Sequence, residues 1–313
     1  MMDEKRKVNQ WECISDADGL KLSVLEVVPQ GTPKGFCQIV HGMCEHKERY
    51  LPFMEMMAKA GYVCGIHDHR GHGKSVKDTR DLGYMYEAGP DAVLKDLLTV
   101  VTAEKERWPD LPYFMLGHSM GSLAARVFAK RFDFFLDGLI LSGSPSKNPL
   151  LPAGKGIAWL EGKVRGADHH SRLLEALSFG AYAAKFPEEK HRASAWICSD
   201  EEVTREYSSS PLCSFTFTDD GYRTLFWMMG ETYKVKGWIC TNPDLPILFL
   251  GGREDPCIGG PGKFAEAIRT MRMAGYRNVK GKLYPGMRHE ILNEIEKERV
   301  YRDILAWLGK QGL

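Results

Sequence analysis

The chain has 313 residues, of which 43% are hydrophobic and 27% charged, and this ordinary globular composition excludes a disordered, collagen-like or fibrous protein. Lysine and arginine number 42 against 41 aspartates and glutamates, so the formal net charge is +1. Such an even balance gives no basic footprint, and we therefore predict no nucleic-acid partner.

The N-terminal residues are charged and are not followed by an apolar stretch, so the sequence predicts no signal peptide. Its apolar runs are too short to span a bilayer, although a transient contact with a membrane stays open. The 8 cysteines are scattered and show no CxxC pair. This pattern predicts free thiols and a cytoplasmic location.

Short apolar runs predict buried strands, which in chain order are Phe36–Val40, Tyr62–Ile66, Tyr113–Leu116, Gly138–Leu141, Pro246–Leu250 and Lys282–Tyr284. Segments with helical spacing of apolar residues lie between them, at about 49–60 and 90–107 and from near Ser119, Gly262 and Lys297. This alternation predicts an α/β fold, a mostly parallel sheet with helices on both faces. In such sheets the chemistry lies at the carboxyl ends of the strands.

The alternation stops after Ser142, and residues 143–217 show helical fragments but no convincing strand. We predict that 143–217 is a helical cap inserted between two parts of the core, 1–142 and 218–313. The alternative is an ordinary set of crossover helices, but the segment is far longer than the dozen or so residues that a crossover needs.

A G-x-S-x-G motif follows the strand that ends at Leu116, and a helix-forming run follows the motif. A strand, this motif and a helix in succession are typical of the nucleophile elbow, a sharp turn that exposes a serine. Gly117 and Gly121 supply the small residues that the turn needs. The sequence therefore predicts Ser119 as a nucleophile.

A serine nucleophile needs a base, and the base needs an orienting acid. Asp255 follows the strand that ends at Leu250, and Glu254 is its nearest competitor for the role of the acid. His289 follows the next predicted strand and is the only histidine after Asp255. The order serine, acid, histidine is the one found in hydrolases with this elbow. We predict Asp255 and His289 as partners of Ser119.

The oxyanion of the tetrahedral intermediate needs two backbone N–H donors. The residue after the nucleophile, Met120, is one candidate, and Met43 in the loop after the first predicted strand is the other. His41 in the same loop is interpreted as a structural residue, and Cys44 and Glu45 as supporting residues.

The segment from Asp68 to Ser75 is rich in glycine, but its spacing is not that of a phosphate-binding loop. We interpret it as a turn that braces the oxyanion loop. His169 and His170 are adjacent in sequence, so they cannot share a helix face as metal ligands. The sequence predicts no metal and no cofactor.

These motifs resemble the monoacylglycerol lipase and lysophospholipase branch of the α/β-hydrolases. The segments that carry the resemblance are HGMCEH at 41–46 with ERY at 48–50, DHRGHGKS at 68–75, GHSMG at 117–121 and GMRHEILNE at 286–294. The resemblance implies an α/β-hydrolase fold with a Ser119–Asp255–His289 triad and oxyanion donors at Met43 and Met120. Such chains are often labelled serine aminopeptidases. One departure is Cys257, which stands where the branch usually has valine.

The predicted function is hydrolysis of a carboxylic ester, a small molecule or lipid such as a monoacylglycerol or lysophospholipid, through an acyl-enzyme. The alternatives are a short-chain carboxylesterase, an aminopeptidase-like hydrolase, an acyltransferase, and a slow-turnover ligand-binding receptor on a hydrolase scaffold. The aromatic and apolar residues of the cap that are candidates for a substrate pocket are Trp159, Leu160, Phe179, Tyr182, Phe186 and Trp196. The oligomeric state stays undetermined.

Overall fold

A computed structural model describes residues 7–189 and 194–311. Its centre is one sheet in the order β1-β2-β4-β3-β5-β6-β7-β8. The strands are β1 (Lys7–Ile14), β2 (Lys21–Val28), β3 (Gly35–Val40), β4 (Tyr62–His67), β5 (Tyr113–His118), β6 (Gly138–Ser142), β7 (Ile247–Gly252) and β8 (Val279–Tyr284). The helices are α1 (Leu51–Lys59), α2 (Ala92–Arg107), α3 (Met120–Phe132), α4 (Leu151–Arg165), α5 (Arg172–Ala183), α6 (Glu201–Ser209), α7 (Asp219–Tyr233), α8 (Pro261–Met273) and α9 (Lys297–Gly309).

The six predicted strands are present as β3 to β8, and all of them run parallel. Alternate residues of β3 show how such a strand is buried. Phe36 and Val40 belong to the core on one face of the sheet, whereas Cys37 and Ile39 belong to the core on the other. Burial on both faces explains why the strand reads as a continuous apolar run, and it confirms the predicted α/β class.

The hairpin of β1 and β2 was missed by the sequence prediction. β1 is antiparallel to β2 and β2 is antiparallel to β4, so the hairpin extends the parallel part of the sheet at one edge. Every residue of β1 is exposed or half-buried. A strand without a buried apolar face has little of the alternating pattern by which strands are recognised.

The helices form a layer on each face of the sheet. Phe53 of α1 and Ile304 of α9 pack in the core on one face. Leu97 of α2, Phe128 of α3 and Phe264 of α8 pack in the core on the other face. The loops that leave the carboxyl ends of β3, β5, β7 and β8, together called the core side below, therefore emerge at one edge between two helical layers.

The helical segment lies between β6 and β7, as the sequence predicts. Helices α4, α5 and α6 fall within 143–217, and α7 begins just after it. The division into a cap and two core parts stays a prediction. We call α5, α6 and residues 194–200 the helical side, because they face the loops of the core side across a cavity.

None of the described helices is long and apolar enough to cross a membrane. All eight cysteines are free, as predicted.

Candidate active site

Ser119 lies on a sharp turn between β5 and α3. Its backbone has φ of +51° and ψ of −120°, a left-handed conformation that is strained for a residue other than glycine. A Cβ atom at Gly121 would lie 2.0 Å from the carbonyl oxygen of Val40, and one at Gly117 would lie 2.6 Å from that of Gly121. Only glycine fits at either position, which is the structural reason for the motif.

Ser119, His289 and Asp255 are joined by hydrogen bonds. The Oγ of Ser119 lies 2.8 Å from Nε2 of His289, and Nδ1 of His289 lies 2.9 Å from Oδ2 of Asp255. The backbone N–H of Cys257 donates to the other Asp255 oxygen at 2.7 Å. This bond fixes the carboxylate, so one oxygen faces the imidazole. The arrangement has the connectivity needed to pass a proton from the serine to the histidine.

Two neighbouring histidines of the site have pKa values shifted in opposite directions. Burial alone would lower the pKa of His289, but attraction to the Asp255 carboxylate outweighs it, and the pKa lies above the ordinary value of 6.5. The ring of His118 lies 4.8 Å from that of His289. Burial and the neighbouring His289 lower the pKa of His118 to about 3. His289 is therefore the better proton acceptor, and His118 stays neutral beside it.

The loop after β3 is held in place by a buried carboxylate. Glu45 accepts the backbone N–H of Gly42 and, at 2.9 Å, the hydroxyl of Tyr50. Met43, the residue that follows Gly42, lines the cavity. Met120 is the first residue of α3, so its N–H is among those without a partner inside the helix. Met43 thus lies in the loop after β3 and Met120 at the start of α3, the two places where the prediction puts the oxyanion donors.

A cluster of neutral histidines braces the same loop from behind. His41 accepts the backbone N–H of His69 at Nε2 over 2.9 Å. Nδ1 of His72 faces the carbonyl oxygen of Arg70 at 3.0 Å and carries the proton, so Nε2 accepts the N–H of Cys44 at 3.3 Å. Burial lowers the pKa of His72 to about 4. These contacts place the glycine-rich segment against the loop after β3, where we interpret it as a brace.

Arg49 connects the oxyanion loop to the histidine loop, a role that the sequence prediction missed. It donates to Glu45 at 2.8 Å and makes a two-pronged ion pair with Glu290 at 2.7 Å for each bond. Its guanidinium also lies 5.0 Å above the ring of Tyr207 in α6. Because Glu290 directly follows His289, this ion pair helps to position the imidazole relative to the loop after β3.

Ser119 lines a cavity of about 510 Å³ that lies between the core side and the helical side. Met43, Ser119 and His289 line it from the core, whereas Phe179 and Trp196 line it from the helical side. A volume of this size is typical of a site for a small organic ligand.

The predicted pocket residues are divided between this cavity and other places. Trp196 packs its ring 5.0 Å from that of His289 and stacks on Phe179 at 5.9 Å. The ring of Tyr182 lies 5.1 Å from that of Trp196, and its hydroxyl bonds to Cys257. Trp159 was assigned wrongly. It lies on α4, is 57% exposed, and borders a separate groove against α7.

The two remaining pocket candidates also lie outside the cavity. Leu160 is 57% exposed on α4. Phe186 lies beneath the guanidinium of Arg288, 4.1 Å from it. Helical spacing identifies the residues of one face, but it does not show which face meets the core, and this explains the errors.

Among the described residues, two groups bring potential metal ligands within 4.8 Å of one another. The first group is Asp255, Cys257 and His289, in which both oxygens of Asp255 and both ring nitrogens of His289 already have partners. The second group is Glu161, His169 and Asp219, beside which Arg165 lies 3.2 Å from His169. Nδ1 of His169 already bonds to Asp219, and Ser171 donates its hydroxyl to Glu161. Neither arrangement favours a metal over the contacts already made.

Comparison with known sequences relates the chain to lipases. The profile of the serine aminopeptidase S33 family matches residues 31–296. A monoglyceride lipase of Rattus norvegicus is 32% identical over 298 residues, which cover 94% of this chain and 88% of the relative. A monoacylglycerol lipase of Mycolicibacterium smegmatis is 27% identical over 90% of each chain. The resemblance to the monoacylglycerol lipase branch is confirmed.

Solved structures give the same fold. A carboxyl esterase of Bacillus coagulans in complex with glycerol has a TM-score of 0.89 at 26% identity, and the match covers 99% of this chain and 100% of that one. A soluble variant of the Saccharomyces cerevisiae monoglyceride lipase, solved with a substrate analog, has a TM-score of 0.74 at 21% identity, over 99% and 97% of the two chains. The predicted α/β-hydrolase fold is confirmed.

Proposed function

This chain belongs to the serine aminopeptidase S33 family of α/β-hydrolases, and we propose that it is a serine hydrolase that cleaves monoacylglycerols. The observation that carries the proposal is the continuous hydrogen-bonded path from Ser119 through His289 to Asp255, which begins at the wall of a cavity. A buried path of this kind activates a hydroxyl that is otherwise a weak nucleophile.

The first half of the reaction forms an acyl-enzyme. His289 accepts the proton of Ser119 as Oγ attacks the ester carbonyl, and Asp255 stabilises the imidazolium that results. Met43 and Met120 donate their backbone N–H groups to the oxyanion. When the intermediate collapses, the C–O bond of the ester breaks, and His289 returns its proton to the leaving alcohol.

The second half of the reaction uses water in place of the alcohol. His289 takes a proton from the water, whose oxygen attacks the acyl carbon, and the proton then passes to Oγ of Ser119. The products are a fatty acid and a free serine.

The relatives and the cavity support a lipid ester as the substrate. Two curated relatives of high coverage are named as lipases of monoacylglycerols. The aromatic rings of Phe179 and Trp196 offer apolar surface to an acyl chain. A lysophospholipid is the second candidate, because the resemblance includes lysophospholipases. The cytoplasmic location and the transient membrane contact stay predictions from the sequence.

The test is the release of oleic acid from monooleoylglycerol by the wild type and by Ser119→Ala, with 4-nitrophenyl butyrate as a second, soluble substrate. We expect rapid multiple turnover of both substrates by the wild type, and a loss on the order of 10⁴-fold in kcat in the variant.

The other possible results point to the alternatives. Turnover of the short ester alone would favour a short-chain carboxylesterase. Transfer of the acyl group to added glycerol in preference to water would favour an acyltransferase. A single slow turnover with saturable binding would favour a receptor and would contradict the proposal.

A further inference from the structure

Helix α5 turns one face toward the cavity, and that face carries a single charged residue. The cavity-lining residues of the helix are Glu175, Ala176, Phe179, Gly180 and Ala183. Their spacing follows one face of a helix. The four lining residues other than Glu175 are uncharged and fit an apolar wall. Packing alone therefore does not explain why Glu175 is a carboxylate.

The carboxylate of Glu175 is held by a hydrogen bond but has no cationic partner among the described residues. Thr216 donates its hydroxyl to Oε2 of Glu175 at 2.9 Å. No lysine, arginine or histidine in the described part of the chain forms an ion pair with it. Glu175 lies in the first turn of α5, where the partial positive charge of the helix terminus favours an anion. Its other oxygen stays available to a ligand in the cavity.

The remaining charges around the cavity have the same sign or are already paired. Glu45 and Glu290 also line it, and Arg49 binds both of them. No lysine or arginine is among the described residues that line the cavity. Burial raises the pKa of the Cys44 thiol, and the negative charge of Glu175 raises it further. The field of Glu175 therefore reaches the loop that carries Met43.

We propose that Glu175 sets the charge selectivity of this cavity, accepting a hydroxyl of a neutral ester and repelling an ester that carries a phosphate or carboxylate. A like charge brought into a partly dehydrated cavity is strongly disfavoured, whereas a hydroxyl gains a charge-assisted hydrogen bond. The inference rests on the proposed ester hydrolysis. It narrows the substrate class to uncharged esters such as monoacylglycerols, as opposed to lysophospholipids with an anionic head group.

The test compares pairs of esters in which one member carries an anionic group that its partner lacks. One pair is 1-oleoylglycerol and 1-oleoylglycerol 3-phosphate, and the other is 4-nitrophenyl butyrate and 4-nitrophenyl hemisuccinate. The second pair is soluble, so the charge of a micelle surface does not enter its rates. The measured quantity is the ratio of kcat/KM for the anionic ester to kcat/KM for its neutral partner.

We expect Glu175→Gln to raise this ratio on the order of tenfold in both pairs, because it removes one unit of charge while it keeps an acceptor for Thr216. Glu175→Ala gives the same comparison if the glutamine variant folds poorly. The matched control is Glu201→Gln, an exposed acid on α6 that does not line the cavity. Its ratio should equal that of the wild type.

An unchanged ratio in both Glu175 variants, with normal hydrolysis of the neutral esters, would overturn the inference and leave the proposed function standing. An equal rise in Glu201→Gln would also overturn it, since the effect would then belong to the total surface charge. Absence of hydrolysis of all four esters by the wild type would overturn the proposed function and this inference together.

Discussion

The core side and the helical side of the site are built from different kinds of contact. On the core side, directional hydrogen bonds set the positions of Ser119, Asp255 and His289. On the helical side, Phe179 and Trp196 reach the site through stacked and tilted rings. Hydrogen bonds therefore hold the reacting groups at defined positions. The surroundings of the substrate depend on ring packing, which tolerates substitution better.

The largest expected effect comes from the core side, where a change of one atom should matter. Asp255→Asn keeps the shape of the side chain but replaces the carboxylate that faces His289. We expect kcat for 4-nitrophenyl butyrate to fall on the order of 10⁴-fold, because the imidazole loses its orientation and the stabilisation of its charge. A loss of less than tenfold would show that Asp255 is not the acid, and Glu254→Gln would then be the variant to measure.

The next effect concerns the ion pair that joins two loops of the core side. Arg49→Met leaves Glu45 and Glu290 buried without their shared partner. We expect a loss of about 3–5 kcal/mol in the free energy of unfolding, together with a fall in kcat on the order of 100-fold as the histidine loop shifts. Chemical denaturation and steady-state kinetics measure the two effects.

A surface pair supplies the control for this variant. Arg277 and Asp244 form an ion pair of similar length, but both side chains are more than 60% exposed. Arg277→Met should cost less than about 1 kcal/mol and leave kcat unchanged. Equal losses in the two variants would contradict a special role for Arg49.

A change on the helical side should affect substrate binding more than chemistry. Trp196→Ala removes the ring that lies 5.0 Å from that of His289. We expect KM for monooleoylglycerol to rise about tenfold, while kcat for 4-nitrophenyl butyrate changes less than about threefold. Trp159→Ala is the matched control, because that ring lies outside the cavity. A fall of kcat for both esters in Trp196→Ala would erase the distinction between the two sides.

The smallest effect is a displacement of the pH profile. Catalysis needs neutral His289, and the pKa of that residue is raised above 6.5 by Asp255. The kcat/KM for the soluble ester should therefore increase with pH and reach half its plateau value at a pH above 6.5. Below that midpoint, kcat/KM should fall about tenfold for each pH unit. In Asp255→Ala, burial still lowers the pKa of His289 and only the weaker attractions of Glu290 and Glu45 still raise it, so the midpoint should move to lower pH. A midpoint that does not differ between the two proteins would contradict this coupling.

What the sequence could predict depends on whether a contact is set by near neighbours in the chain or by distant ones. The elbow at Ser119 was predictable because its geometry is imposed by neighbours within two positions, Gly117 and Gly121. The ion pair of Arg49 with Glu290 joins residues 241 positions apart, and no local pattern indicates such a partnership. The contact between His289 and Asp255 was predictable for another reason. Both residues follow parallel strands, whose carboxyl ends lie at the same edge of the sheet.

The errors on the helical side have a common physical cause. Trp159 and Phe179 both lie on helices with suitable spacing, but only Phe179 faces the cavity. Which face of a helix meets the core is decided by tertiary packing. Glu175 was overlooked because an isolated acid in an amphipathic helix usually lies in solvent, and its bond to Thr216 is visible only once the two segments are brought together.

The most direct test of the central claim is the covalent trapping of the nucleophile. The protein is treated with a fluorophosphonate, which phosphonylates serines that are activated by a neighbouring base, and the modified peptide is then identified by mass spectrometry. We predict one adduct per chain, at Ser119, with its rate of formation greatly reduced in His289→Ala. Labelling of another residue, or equally rapid labelling of Ser119 without His289, would contradict the account.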